Sequence, residues 1–241
     1  MAVNYRDSIA QTRMYLDEVS EKSWSETEVE REVNYGYQSF VTNAMTAYED
    51  FYMIRSDFDL QENVQEYGVA DGVPSDVFKI RRIELNYKIT SNPDAFRKSV
   101  PININDVKSS ITRASFGSAS FPAYYTYGFD SSFKLGFVPI PTEDGTNAAR
   151  LWYIQQQVKL VVPTDLLNIP YADRYANGVA LIAAGTLLRK GQQEEVSAEK
   201  YLIQGENLRM DMQQDLEDRV SDEAKLITDS IGMDLDFTQP F

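Results

Sequence analysis

IPTEDGTNAARLWYIQQQVKL, residues 140–160, sets an acidic, glycine-bearing turn directly before an arginine-tryptophan-tyrosine strand. Thr142-Glu143-Asp144-Gly145 has the composition of a turn. Ala149, Leu151 and Tyr153 alternate with Arg150, Trp152 and Ile154, the two-residue period of a strand with one buried face. The stretch reads as part of a β-hairpin, and its surroundings decide what that hairpin belongs to.

Strand-like composition continues on the amino-terminal side. Tyr125, Tyr127 and Phe129 share one parity, Phe133, Leu135 and Phe137 another, and Asp130-Ser131-Ser132 lies between them as a turn. Earlier still, Ile83, Leu85, Tyr87 and Ile89 alternate with Arg82, Glu84 and Lys88, behind turn signals at Asp71-Gly72 and Pro74-Ser75-Asp76. A short helix is predicted around Asn105 to Ser110. Several short strands with short links predict an antiparallel arrangement and not a parallel βαβ sheet.

Both flanks are helical. Asn4 and Asp7 can cap a helix from Asn4 to Val19, and Ser25 with Glu28 forms a capping-box pattern before the stripe Val29, Val33, Tyr37, Phe40, Val41, Ala44 and Tyr48. After Pro170, Tyr175, Val179, Ile182 and Leu187 interlock with alanines, and Gly178 and Gly185 permit close helix approach. Arg189-Lys190-Gly191 suits a helix end, with cations in the last turn and glycine at the cap. A further helix is expected from Val196 to Arg219, and beyond Val220 the apolar period is lost. The predicted fold class is α+β: a bundle of long amino- and carboxy-terminal helices with an inserted antiparallel β-rich region. The segments are 1–50 and 166–220 for the bundle, 51–165 for the insertion and 221–241 for an extended carboxy-terminal arm.

Composition excludes more than it specifies. The 241 residues contain no cysteine and no histidine, which removes disulfides, thiol nucleophiles, Cys/His zinc sites and His-based catalytic triads. A formal charge of −14, from 37 acidic and 23 basic residues, opposes a cationic DNA clamp. From Gln192 to Phe241 thirteen acidic residues face four basic ones. No apolar run reaches membrane-span length, and the start MAVNYRDSIAQTRMYLDE has no apolar core, so neither a span nor an export signal is expected.

The candidate chemical motifs fail on spacing. Counted from Asp57, a calcium loop would need glycine where Glu62 stands and a bidentate glutamate where Gly68 stands. Glu143 and Asp144 lack the opposed geometry of a carboxylate hydrolase. Arg189-Lys190-Gly191 lacks the glycine-rich lead of a phosphate loop. Lys79, Arg81, Arg82, Lys88, Arg97 and Lys98 form the richest basic interval, but alternation divides them between faces and Glu84 interrupts them. The run FPAYYTYGF is aromatic enough for either protein docking or internal packing.

The order of several phrases resembles a phage head-to-tail adaptor, or connector. VPSDVFKIRRIEL (73–85), FKLGFVPIPTEDGTNAARLWYIQQQ (133–157), LNIPYADRYANGVALIAAGTLLRKG (167–191) and SAEKYLIQGENLRMDMQQDLEDR (197–219) carry the resemblance, which spans residues 25 to 220. It implies a non-enzymatic virion protein of the neck, without cofactor or metal, assembled in the host cytoplasm. It implies a homo-oligomeric ring, usually twelve copies, between the portal and a tail tube or nozzle protein. DNA would pass through the channel without sequence-specific binding. On that reading Tyr124, Tyr125, Tyr127, Phe129, Glu143 and Asp144 are candidate contacts with the tail or a neighbouring copy. Arg189, Lys190, Asp234, Phe237 and Phe241 are candidate portal contacts. The alternatives are a minor capsid or assembly scaffold protein and a carboxylate-dependent hydrolase.

Overall fold

A computed structural model of the chain describes residues 3–18, 23–108, 118–128, 130–191 and 195–234. It divides into two compact units, one comprising Met1–Phe51 with Gln157–Phe241 and the other Tyr52–Gln156. The fold is α+β, with long helices from both ends of the chain and a β-rich middle.

The first unit is helical. Helix α1, Tyr5–Tyr15, starts at Asn4, whose side chain accepts from the Asp7 N–H while the Asp7 carboxylate accepts from the Asn4 N–H. Helix α2, Glu26–Tyr48, starts at Ser25 with the same reciprocal arrangement to Glu28. Both capping boxes satisfy early amides that no helical carbonyl can reach. Buried Arg13 ties the two helices together through Glu26 (2.7 Å) and the Trp24 carbonyl (3.5 Å). Helix α3, Ala172–Lys190, buries residues all round, from Tyr175 through Leu188, as a helix apolar on every side must. It touches each of the other three helices. Its Gly191 cap keeps φ at −75°, so the left-handed freedom of glycine is not used there.

Helix α4, Glu195–Asp234, corrects the expected end near Arg219. Residues 220–234 are helical and not an extended arm, because loss of an apolar stripe removes a packing face but not helix propensity. Glu223, Ala224, Lys225 and Leu226 all favour helix.

Glycine sets the helix spacing. A Cβ on Gly36 would stand 2.8 Å from the Val179 carbonyl oxygen, one on Gly178 would stand 2.5 Å from the Phe40 ring, and one on Gly205 would stand 2.6 Å from Ile182. The α2–α3 and α3–α4 crossings therefore bring backbone against side chain with no room for a methyl group.

The second unit consists of two four-stranded sheets. Strands β1 (Met53–Leu60), β3 (Val77–Leu85), β4 (Arg97–Lys98) and β8 (Gly145–Gln155) form one, in the order β1-β8-β3-β4. Strands β2 (Glu66–Gly68), β5 (Val100–Pro101), β6 (Ala123–Tyr127) and β7 (Lys134–Val138) form the other, in the order β2-β7-β6-β5. All pairings are antiparallel except β5 with β6. The β6–β7 hairpin forms around residues 130–132 as its parity requires, with Tyr127 opposite Lys134. The expected hairpin through residues 142–145 does not form. β7 pairs with β6 and β2, whereas β8 runs between β1 and β3, so residues 139–144 cross from one sheet to the other. The short helix expected near Asn105 is a 3₁₀ segment, Ile104–Lys108; residues 109–110 lie outside the described residues.

Both sheets feed one core. Phe58, Ile83, Leu85, Leu151 and Tyr153 come from the first, and Tyr67, Leu135 and Phe137 from the second. Phe58, Tyr67 and Phe137 stack at its centre, with ring centroids 5.5 to 6.2 Å apart.

The Gly36 crossing gives a test of helix spacing. Gly36→Ala gains about 1 kcal/mol of helix propensity, but overpacking against a backbone carbonyl costs about 1–3 kcal/mol. Net destabilisation is expected in a thermal or urea melt. A variant about 1 kcal/mol more stable than the parent would show that α2 and α3 can part at no cost.

Candidate functional site

The residues proposed from the sequence as contact points fall into three sets. The first lies on β6. Tyr125 is buried at 4 % exposure, because its cross-strand partner is Gly136 and the ring covers the space a side chain would fill. Its hydroxyl donates to Glu66 Oε1 at 2.9 Å, and the Tyr127 hydroxyl donates to Glu66 Oε2 at 2.6 Å. Burial, then the hydrogen bond to the Glu66 carboxylate, pushes the Tyr125 phenol well above its ordinary pKa. Tyr125 as an exposed anchor is therefore corrected: it is a core residue. Tyr125 packs with Val107, Ala123 and Val138, whereas Tyr124 is half-buried against the core shared by the two sheets, with its phenol pushed up by burial, and Tyr127 is exposed. Phe129 lies outside the described residues.

The second set is the acidic crossover. Asp144 Oδ1 accepts from the Glu62 N–H at 2.7 Å, and the Pro141 carbonyl accepts from the Asn63 N–H at 3.0 Å. Asp59 Oδ1 accepts from the Asn147 N–H at 2.8 Å. Glu143 is half-buried, with one carboxylate oxygen shielded and without a hydrogen-bond partner. Asp59, Glu62 and Asp144 line a cavity of about 480 Å³, but Asp59 and Asp144 are engaged in holding the two loop segments together. Among the described residues no group of three or more carboxylates is arranged to hold a metal ion.

The third set sits at the end of α3 and in the carboxy-terminal segment. Lys190 is ion-paired to Glu32 of α2, a residue whose carboxylate is buried and also meets Arg31 at 3.0 Å. Arg189 is exposed beside Leu202 and Glu206. Asp234 is the last residue of α4, while Phe237 and Phe241 lie outside the described residues. No described helix is long and apolar enough to cross a membrane.

Two of the quoted phrases meet in space. Asp76, of the Pro-Ser-Asp turn, accepts from the Tyr153 hydroxyl at 2.9 Å and from Gln155 Nε2 at 2.7 Å, and its carbonyl accepts from the Gln156 N–H at 2.7 Å. The turn that starts β3 is thereby fastened to the end of β8. Burial and the Asp76 hydrogen bond raise the Tyr153 phenol as well.

The basic interval is reorganised by a feature that alternation does not show. Strand β3 shifts register between Ile80 and Arg82, so Arg81 is an extra residue and Arg82 falls directly opposite Trp152. Arg55 of β1 lies opposite the same tryptophan from the other side. Both guanidinium carbons stand over the indole, Arg55 at 5.7 Å and Arg82 at 5.4 Å from the ring centroid. Arg150, one row along, covers the Phe96 ring at 3.5 Å. The signal for this grouping was present as Trp152 within a basic strand neighbourhood, but its partners depend on register.

The tyrosines of β6 separate core from surface experimentally. Tyr125→Ala is expected to cost about 3–5 kcal/mol in a urea melt, as for large buried aromatics, whereas Tyr127→Ala is expected to leave the fold within about 1 kcal/mol. Equal losses would mean that Tyr127 is also a core residue.

No curated protein matches the chain. A family model described as SU10 adaptor protein matches residues 3–226, which include α1 to α3, α4 as far as Leu226, and the whole of the second unit. The chain belongs to the SU10 adaptor protein family, and its general role is that of a phage head-to-tail adaptor.

Proposed function

We propose that copies of this chain form a ring, of twelve, between the portal and the tail of a tailed double-stranded DNA phage, leaving an axial channel for the genome. The observation that carries this reading is the family match across residues 3–226. The architecture supports it. Rigid, capped helices suit a wall that must transmit alignment, and a closed ring needs two different lateral surfaces on each copy. A strongly acidic chain suits a passage from which DNA must slip, because phosphate is repelled and not gripped. The protein acts as a virion component of the neck, and its partners are its own copies, the portal and a tail tube or nozzle protein.

The carboxy-terminal end of α4, with residues 235–241, is the portal-facing element in this reading; Arg189 and Lys190, at the end of α3, lie near the start of α4 by Leu202 and Glu206 and so toward the other end of that helix. Tyr127 and the half-buried Tyr124 remain candidates for tail or neighbour contact.

Electron microscopy of the purified protein mixed with its portal tests the assembly. One ring of twelve copies coaxial with the portal is expected; free monomers beside undecorated portals would reject the reading. Chains ending after Asp234 or after Val220 test the portal-facing element. Portal association is expected to weaken with the first and be lost with the second, and unchanged association for both would remove that assignment.

A further inference from the structure

Charge is divided unequally between the two units. Residues 52–156 carry eleven Lys and Arg against twelve Asp and Glu, while the rest of the chain carries twelve against twenty-five. Nearly all of the formal charge of −14 therefore belongs to the helical unit. The β unit is close to neutral, and five of its cations, Arg55, Lys79, Arg82, Lys98 and Arg150, fall on one face of the first sheet.

That face is built in two rows across β1, β8 and β3. The first is Arg55–Trp152–Arg82 and the second Asp57–Arg150–Glu84. Arg55 donates to Asp57 through Nε at 2.8 Å, and Arg82 is paired with Glu84. These carboxylates engage the guanidinium groups that stand over the indole, and the arginine side chains remain 46 % and 52 % exposed. Lys79 and Arg81 are exposed on the same strand, and Arg97 and Lys98 are exposed on β4 next to Glu84. The tryptophan is half-buried, with its ring sandwiched between cations.

A pre-ordered Trp and Arg cluster is the composition of a protein-protein hot spot, where aromatic and guanidinium groups are enriched and little side-chain freedom is left to lose. Nucleic acid fits less well. Asp57 and Glu84 interrupt the rows, so the cations form no continuous track for a phosphate backbone, whereas spaced helix carboxylates can each meet a single guanidinium group.

We propose that this Arg55–Trp152–Arg82 face receives the acidic α4 helix of a second copy of this chain. The occupant follows from charge complementarity: the basic face is on the unit with almost no net charge, and the acidic surplus is on the other. Asp211, Asp215 and Asp218 recur at i, i+4 and i+7 and so share one side of α4. Asp215 is held by Arg174 at 2.6 Å, whereas Asp211 and Asp218 are exposed. A face on one unit and a helix on the other make a heterologous contact, the kind that closes a ring. This deepens the ring reading and rests on it.

Two charge-reversed full-length variants and the portal test the contact. R55E/R82E and D211K/D218K are each expected to weaken ring formation on the portal by about tenfold or more, as close interfacial charge pairs do. Mixed in equal amounts they are expected to assemble again. In alternation, the reversed face of one meets the reversed helix of the other, and the two unaltered surfaces also meet; an even-numbered ring accommodates this. Recovery also shows that neither variant is misfolded. If R55E/R82E does not fold, Arg55→Gln/Arg82→Gln replaces it and is expected to weaken assembly, with unchanged assembly overturning the proposal.

R55E/R82E assembling like the parent overturns the proposal. So does a mixture that fails to recover while both variants keep the parent melting temperature. Loss of duplex-DNA binding by R55E/R82E, with ring formation untouched, makes the face a nucleic-acid surface and likewise overturns it. A parent chain that forms no ring on its portal removes the ring reading and this proposal together. A parent ring unaffected by either variant removes only this proposal.

Discussion

Helix backbones lie as close as they do in the first unit because glycine stands at their crossings. The Val179 carbonyl occupies the space over Gly36, Phe40 the space over Gly178 and Ile182 the space over Gly205. Close packing matters more here than in an electrically neutral bundle. This unit has more than twice as many acidic as basic residues, and like charges held in a compact body repel one another. Dispersion contacts along the glycine and alanine seam, summed over many atom pairs, act against that repulsion. The ties of buried Arg13 to Glu26 and of Lys190 to buried Glu32 place cations where acidic helices converge.

The β unit solves a different problem. Eight short strands must choose partners, and edges must be fixed without long sheets. Asp76 does this at one end of β3 by holding the last residues of β8. At the other sheet, Glu66 gathers the hydroxyls of Tyr125 and Tyr127, while Tyr125 covers Gly136 across the β6–β7 pair. Each device fixes register, and register decides which side chains reach the outside. The arginine-flanked tryptophan is a consequence: without the extra residue at Arg81, Arg82 would not stand opposite Trp152.

In the proposed ring each copy has to be stiff, to meet its neighbours through unlike surfaces and to leave DNA free to move. The division of charge serves the last two requirements together. Acidic helices repel phosphate and at the same time offer a complement to a cationic sheet face. Asp59, Asp76 and Asp144 serve the fold itself, accepting hydrogen bonds from neighbouring strands and loops.

Local chemistry made much of the architecture legible. Asn4 with Asp7 and Ser25 with Glu28 marked helix starts, because a capping box is closed within four residues. The helical period of Tyr175, Val179, Ile182 and Leu187 among small residues marked a helix open to close approach, and alternation at Ala149, Leu151 and Tyr153 marked a half-buried strand. Choices between distant segments were not legible. The turn at residues 142–145 has hairpin composition, yet it joins strands in different sheets, because β1 and β3 compete successfully for β8. Tyr125 has the composition of an interface and is buried, because a glycine happens to lie across from it. The sequence by itself determined the helices, the strand faces and the excess of negative charge, all of which depend on neighbours a few residues away. Only the tertiary structure decided strand partners, the bulge at Arg81 and the sandwich of Trp152 between two arginines, because pairing energy is earned between residues up to about a hundred positions apart.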